Sequence, residues 1–552
     1  MRLACAAIAA ATLVAGSHAE GGTVGGVVVD SAGPVANAVV RVQTTDVRTR
    51  TDAAGRFMLA LADGAAQLTA FAPGYYIAGP ADARADDTDI VLTLSRHDAV
   101  DNPSYEWVGA AAAHGDDQNC ENCHSAPGRP AARLTYDEWA ADAHARAATN
   151  PRFLSMYNGT DLRGERRGAL TRYTRHRDYG RIPLPPARGA PDYGPGYRLD
   201  LPDLPGNCAT CHAPVAASAD PYGVDPNRLT ATAQEGVTCD VCHKVMDVVI
   251  DADTGLPHEN MPGVLSMSFL RPSGGRQLFI GPYDDVAPGE DTYAPTQEES
   301  AFCAPCHHAK FWGVEVYNSY GEWLDSSYAD PDAGRTCQDC HMPRRGVTHV
   351  VDADKGGLAR RPETIYSHRM LGARDAEFIA DAVTMTTEAE RADTEIRVRV
   401  GITNSGAGHH MPTGHPARHM LLIITVEDVA GARLAQVSGP SLPAWAGAGP
   451  DHDDHAGRPG KAYAKVLEEL WTETAPSAAY WRKTTLREDT RIPAGATDSS
   501  EYAFAAPGAE AATVTVSLVF RRAFKALADA KSWEDPDMLI AHRVARIPAA
   551  GR

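Results

Sequence analysis

Ten cysteines after residue 100 fall into five copies of one pattern. They are Cys120-Glu-Asn-Cys123-His124, Cys208-Ala-Thr-Cys211-His212, Cys239-Asp-Val-Cys242-His243, Cys303-Ala-Pro-Cys306-His307 and Cys337-Gln-Asp-Cys340-His341. Two thiols three residues apart share one face of a helical turn, where they can bond the two vinyl groups of one porphyrin. The next residue, His, then points its imidazole at the iron. Cys-x-x-Cys-His is the attachment motif of c-type haem. Zinc and thiol redox sites also use Cys-x-x-Cys, but neither needs a His after every second Cys. Five disulfides are the plain alternative in an oxidising compartment. The expectation is five covalently bound haem c groups, with His124, His212, His243, His307 and His341 as proximal iron ligands. Successive motifs begin 88, 31, 64 and 34 residues apart. The short intervals predict that the second haem packs on the third and the fourth on the fifth.

The sixth iron position decides the chemistry. A second imidazole closes the iron for electron transfer, and a missing one leaves it open to a substrate. The chain has 21 histidines, so distal candidates abound. His144 lies in Trp139-Ala-Ala-Asp-Ala-His144, on a predicted helix after the first motif. His368 follows the last motif. His409 sits in Gly-Ala-Gly-His409-His410-Met-Pro-Thr-Gly414, where glycines let the backbone approach a porphyrin. His114, His258 and His349 are further candidates. His308 adjoins a proximal His and points elsewhere, His415 and His419 support the loop, and His452 and His455 lie in an Asp-rich solvated loop.

Three kinds of segment must position these groups. Residues 1–19 read as a secretory signal: Met1-Arg2, an apolar run containing the eleventh cysteine, Cys5, and the cleavage triplet Ser17-His18-Ala19. Residues 22–96 carry short β-type runs, Val24–Val29, Ala38–Val42, Phe57–Leu61, Leu68–Phe71 and Ile90–Leu94, separated by Gly and Pro turns. They predict a small antiparallel β-sandwich. Residues 97–380 hold all five motifs and Pro/Gly-rich stretches such as Arg181–Gly206, which predict helices and long loops around haems. Residues 381–552 return to strand patterns at Ile396–Ile402, Met420–Val426 and Val514–Leu518, with a short helix expected at Tyr463–Trp471. The fold class expected is therefore multidomain: an N-terminal β-sandwich, a central multihaem cytochrome c region and a C-terminal Ig-like β-sandwich that lends a His-containing loop to the haems.

The net charge of −19 makes nucleic acid a poor partner. The acidic balance favours basic redox partners over acidic ones. No run after the signal is long and apolar enough to span a bilayer. The expected location is the periplasm or the cell surface.

Gly25-Gly-Val-Val-Val-Asp-Ser-Ala-Gly33-Pro34, Ala38-Val-Val-Arg-Val42 and Thr51-Asp52-Ala-Ala-Gly55-Arg-Phe57 resemble the carboxypeptidase regulatory-like domain. That resemblance implies a β-sandwich without catalytic residues, used as an accessory or interaction module. The segment 97–430 resembles the multihaem cytochromes c that include hydroxylamine oxidoreductases and pentahaem nitrite reductases. The matching pieces are Cys120–His124 with Trp139…His144, Gly236-Val-Thr-Cys239-Asp-Val-Cys-His243, Cys337-Gln-Asp-Cys-His-Met-Pro343, and the Gly-Ala-Gly-His409…Pro-Thr-Gly414 loop. The resemblance implies that His144 is a distal ligand. Two departures stand out. All five motifs keep His where the nitrite reductases have one Lys, and no His precedes the fourth motif in Gly289-Glu-Asp-Thr-Tyr293-Ala-Pro. An open or unusual sixth position at one haem is therefore expected as an alternative to a fully closed chain.

Three functions compete. The first is electron transfer along largely bis-His haems to redox partner proteins, other cytochromes among them. The second is an oxidoreductase acting on a small nitrogen or sulfur species at one open haem. The third is a subunit of an extracellular cytochrome filament, self-assembling through its β-sandwich domains. No phosphate loop, nucleophile elbow or His-Glu-x-x-His motif competes with them.

Overall fold

Alternating apolar residues become strands between Gly22 and Thr93. In this computed structural model residues 22–549 are described, except 62–63, 113–118, 127, 129–132, 287–288 and 509. The expected signal with Cys5, and the candidate His114, lie outside the described residues. Contacts divide the chain into two units. The first runs to Ala99 and takes in Gly274–Tyr293; the second holds Val100–Ser273 and Ala294–Arg552.

In the first unit, Gly22–Asp30 pairs with Gly33–Pro34, Arg56–Leu61 and Ile90–Thr93, and a second sheet runs Arg48–Arg50, Val39–Val42, Ala65–Phe71, Ala78–Arg84. Val24, Val28, Val40, Phe57, Leu59, Leu68 and Leu92 fill the space between them. The sandwich is not wholly antiparallel, because Ile90–Thr93 runs parallel to Gly22–Asp30. It reaches that edge by crossing over from the other sheet, which brings it in with the same direction. Gly274–Tyr293 lies between the third and fourth motifs in sequence yet packs with these sheets. Arg41 pairs with Asp284 at 2.7 Å, and Ile77 N–H donates to the Asp291 carbonyl at 2.9 Å.

The second unit joins the Cys-x-x-Cys-His segment to the C-terminal sheets. One sheet has the order Val383–Ala392, Glu395–Asn404, Thr497–Ala505, Gln436–Ser438. The other has the order Thr484–Asp489, Gly460–Glu469, His419–Asp428, Ala512–Arg521, Met538–Ile547. Ile396, Val398, Val400 and Ile402 meet Met420, Leu422, Ile424, Val514, Val516 and Leu518 between them. Residues 100–273 and 294–380 thus share one unit with 381–552, because loops of the second half reach the motifs of the first. Tyr463–Trp471, expected as a helix, belongs to the strand Gly460–Glu469. It pairs with His419–Asp428 on one side and Thr484–Asp489 on the other, and burial on both faces overrides its Lys- and Glu-rich helix propensity. Among the described residues no helix is long and apolar enough to cross a membrane.

Leu422, fully buried in this core, sets the packing of both sheets. Leu422→Ala is expected to lower the stability of the second unit by about 2–5 kcal/mol in urea unfolding.

Candidate functional site

Each motif forms one short helical turn: Glu121–His124, Ala209–His212, Cys239–Cys242, Ala304–His307 and Cys337–His341. Capping fixes two of them. The Thr238 hydroxyl accepts from Val241 N–H at 3.2 Å. Thr336 accepts from Asp339 N–H at 3.3 Å while the Asp339 carboxylate accepts from Thr336 N–H at 3.0 Å, a reciprocal capping box. All ten cysteines are free thiols.

The turns meet in an order that their sequence spacing does not follow. Cys303 of the fourth motif contacts Cys337 of the fifth. Cys211 of the second, however, contacts Cys306 of the fourth, and Cys239 of the third contacts Cys120 of the first. The second and third turns, expected to pair, are each taken by another partner.

The histidines show what these turns are built to hold. His124 Nδ1 lies 2.9 Å from the Val350 carbonyl, His212 Nδ1 3.0 Å from Ala147, and His341 Nδ1 2.5 Å from Leu371. A carbonyl only accepts, so each Nδ1 carries the proton and each Nε2 keeps a free lone pair. Two candidates repeat the arrangement. His409 Nδ1 donates to the His410 carbonyl at 3.0 Å, and His144 Nδ1 to the Asp142 carboxylate at 2.6 Å. His144 stands opposite His307 with ring centres 6.2 Å apart, and His409 stands opposite His341 at 6.1 Å. Two imidazoles sharing one metal ion through bonds of about 2 Å have ring centres on the order of 6 Å apart. The fourth motif, which has no His shortly before it in sequence, therefore faces His144 from far up the chain.

Desolvation favours the neutral form of His124, His212, His307, His341 and His409, the form that binds a metal. It pushes His307 down to about 3, with the charges of His144 and His341 adding to the effect, and His409 down to about 4. His368 is pushed down to about 3 by burial and by the charges of His243 and His124, and its buried Nδ1 has no hydrogen-bond partner. It lies among the first and third sites. His258 is 44% exposed and faces Asp251 at 3.8 Å, and His349 pairs with Thr348 at 2.9 Å, one residue before the Val350 carbonyl that accepts from His124. His308 bonds Asn318 at 2.8 Å.

The residues that aim these groups carried little sequence signal. The helix Thr135–Ala141 serves several at once. Asp137 accepts from Ser125 and from Ala126 N–H after the first turn. Glu138 accepts from Arg345, Ser367 and His368 N–H at 2.8–3.0 Å. Trp139 donates to the Val237 carbonyl ahead of the third turn. Buried Asn404 holds the other loop, donating to the His409 carbonyl at 2.8 Å and accepting from Ala407 N–H at 3.1 Å. Gly408 is packed against the rings of Tyr328 and Trp323, where a Cβ would come within 2.9 Å. Glu322, buried under this loop, accepts from Arg491 and Thr413 at 2.6 Å each.

A porphyrin held by two thioethers and an axial imidazole needs two thiols on one face of a turn, a neutral histidine with free Nε2, and a dry surround. All five turns supply the two thiols, and the first, second and fifth also show a histidine with Nε2 free. Among the described residues no three or more His, Cys, Asp or Glu side chains converge as a closed zinc site would require.

Burial opposes the charge of Glu322, but hydrogen bonds from His410 and Thr413 and the charge of Arg491 hold its carboxyl well below the usual range. A carboxyl lowered on folding stabilises the protein above its unfolded value of about 4.3, and the contribution fades as pH falls through the folded value. Glu322→Gln is expected to cost about 1–3 kcal/mol at neutral pH, because it removes the carboxylate that accepts from Arg491 and Thr413, while Arg491 keeps its pair with Asp489. Urea unfolding should show that loss at pH 7 and a much smaller difference from wild type near the acid limit of folding.

Residues 23–95 match the family profile of the carboxypeptidase regulatory-like domain. No curated protein matches the chain. Among solved structures, a penta-haem cytochrome c552 from Thermochromatium tepidum is similar at 20% identity and a TM-score of 0.49, over 78% of this chain and 97% of that one. PapD-like domain 7 of human CEP192 is similar at 4% identity and a TM-score of 0.13, over 31% of this chain and 87% of that one.

Proposed function

We propose that this chain is an exported pentahaem c-type cytochrome that relays electrons between redox partner proteins in the periplasm or at the cell surface. The observation that carries the reading is the two pairs of opposed imidazoles. His144 with His307 and His409 with His341 stand at the separation one shared iron needs; hydrogen bonds hold the rings of His144, His341 and His409, and desolvation favours the neutral form of His307, His341 and His409. Bound haem iron supplies the one-electron couple. The chain's residues do the rest. The ten thiols fix each ring covalently, the proximal Nδ1–H bonds orient the imidazoles, and the packed surround excludes water. His368 serves the third or first site. The contacts Cys120–Cys239, Cys211–Cys306 and Cys303–Cys337 set neighbouring turns close enough for an electron to pass between them.

A second reading is favoured at the second motif. The ring contact of His212 among the described residues is with Phe153, stacked at 3.8 Å; His415 is near enough to feel its charge but makes no ring contact with it among the described residues. Nearby are Tyr317, Tyr480 and His415, their ring centres 5.0–6.0 Å apart, with Arg418 pressing on His415. Such a surround suits a small ligand at an open iron, so an oxidoreductase activity would sit here rather than at the fourth motif.

The pyridine haemochrome assay is expected to return five c-type haems per chain; two or three would overturn the proposal. Carbon monoxide added to the reduced protein should change the spectrum of one haem if the second reading holds, and of none if every iron is closed.

A further inference from the structure

The chain is acidic overall, yet one surface reverses the sign. Residues 163–188 contain eight arginines, Arg163, Arg166, Arg167, Arg172, Arg175, Arg177, Arg181 and Arg188, against two carboxylates, Glu165 and Asp178. All eight arginines are exposed. Only Arg177 has a carboxylate partner among the described residues, its neighbour Asp178 at 3.0 Å. The segment is not a loose loop. Tyr173–His176 and Gly180–Pro183 form an antiparallel ribbon in which Arg175 stands directly across from Arg181. Like charges opposed on a ladder destabilise it, so the pairing works against the ribbon's own folding. The ribbon is held by other means: Arg181 lies over the Tyr173 ring at 3.9 Å, and Tyr173 OH donates to the Asp200 carbonyl at 2.9 Å.

Beside the charge lies exposed apolar surface. Tyr179 at the ribbon's turn is 61% exposed and Leu170 56%. Tyr179 also meets Trp471 and His176, with ring centres 4.8 and 4.9 Å apart. Arginine, tyrosine and tryptophan are the residues that anchor protein interfaces. Uncompensated guanidinium groups around an aromatic centre suit carboxylates on a protein face, which Arg engages in bidentate pairs.

We propose that the arginine ribbon, with Tyr179 and Trp471, is the docking surface for an acidic electron-transfer protein. This deepens the relay reading, on which it rests, and reverses locally the preference for basic partners that the net charge suggests. Charge complementarity chooses the occupant. A second copy of this chain, at −19, is repelled by its own net charge, and steering by opposite charge speeds encounter of small acidic carriers. The reaction is one electron passing from the reduced carrier to a ferric haem of this chain, with no proton transferred.

The test uses the full-length, haem-loaded protein and a reduced acidic [2Fe–2S] ferredoxin, with a basic mitochondrial-type cytochrome c as control carrier. Stopped-flow rates with ferredoxin are expected to fall about tenfold or more between about 20 mM and about 0.5 M salt. The variant Arg172→Glu/Arg175→Glu/Arg181→Glu should lose about tenfold at low salt and leave the control carrier unslowed. Arg175→Gln/Arg181→Gln and Tyr179→Ser give milder losses and guard against a folding defect. Rates with ferredoxin that ignore both salt and these variants would overturn the proposal. So would variants that lose only binding to duplex DNA or phosphatidylglycerol vesicles. Reduction by dithionite and the haem count report on the relay reading separately: if either fails, that reading fails whatever the ribbon does.

Discussion

An imidazole that has given its Nδ1–H to a carbonyl presents Nε2 as its one free lone pair, aimed where the ring is held. The second unit is organised around this constraint. His124, His212, His341 and His409 each spend Nδ1 on a backbone carbonyl, and His144 spends it on Asp142. The backbone that presents those acceptors comes from segments remote in sequence, such as Val350 for His124 and Leu371 for His341. Orienting the rings therefore ties the chain together. The C-terminal sheets take part directly, since the loop carrying His409 hangs from Asn404 at the end of one strand and rests on Glu322 and Arg491.

Much of this was legible in the residues. The five Cys-x-x-Cys-His turns are local, so spacing alone predicts their geometry. His144, His368 and His409 stood out because helix, sequel and glycine contexts are also local. What was hidden is long-range. That His144 faces the fourth motif rather than the first depends on how distant segments fold back, and so does the pairing of the second turn with the fourth. Gly460–Glu469 reads by propensity as mixed Lys, Glu and Ala, and only burial between two neighbouring strands makes its latter part β. The carboxylates of Asp137, Glu138 and Asp142 look like ordinary helix-surface acids until the segments they hold are in place.

Charge shows the same division. A net figure describes the whole chain at long range, where solvent and salt average it. Recognition happens at closer quarters, and the exposed arginines of residues 163–188 form a patch that the average conceals. The acidic remainder then keeps like molecules apart while the ribbon selects a partner of opposite sign. In the proposed relay interior and exterior would divide the work: hydrogen-bonded histidines would hold the redox groups, and exposed guanidinium groups would choose what delivers the electrons.

The most direct measurement of the central claim is the spin state of the iron bound opposite His144. Electron paramagnetic resonance of the oxidised protein should show low-spin signals from the fourth and fifth sites, and His144→Ala should convert one of them to high spin without loss of haem. An unchanged low-spin count in that variant would contradict the account, because the imidazole 6.2 Å from His307 would then be no ligand.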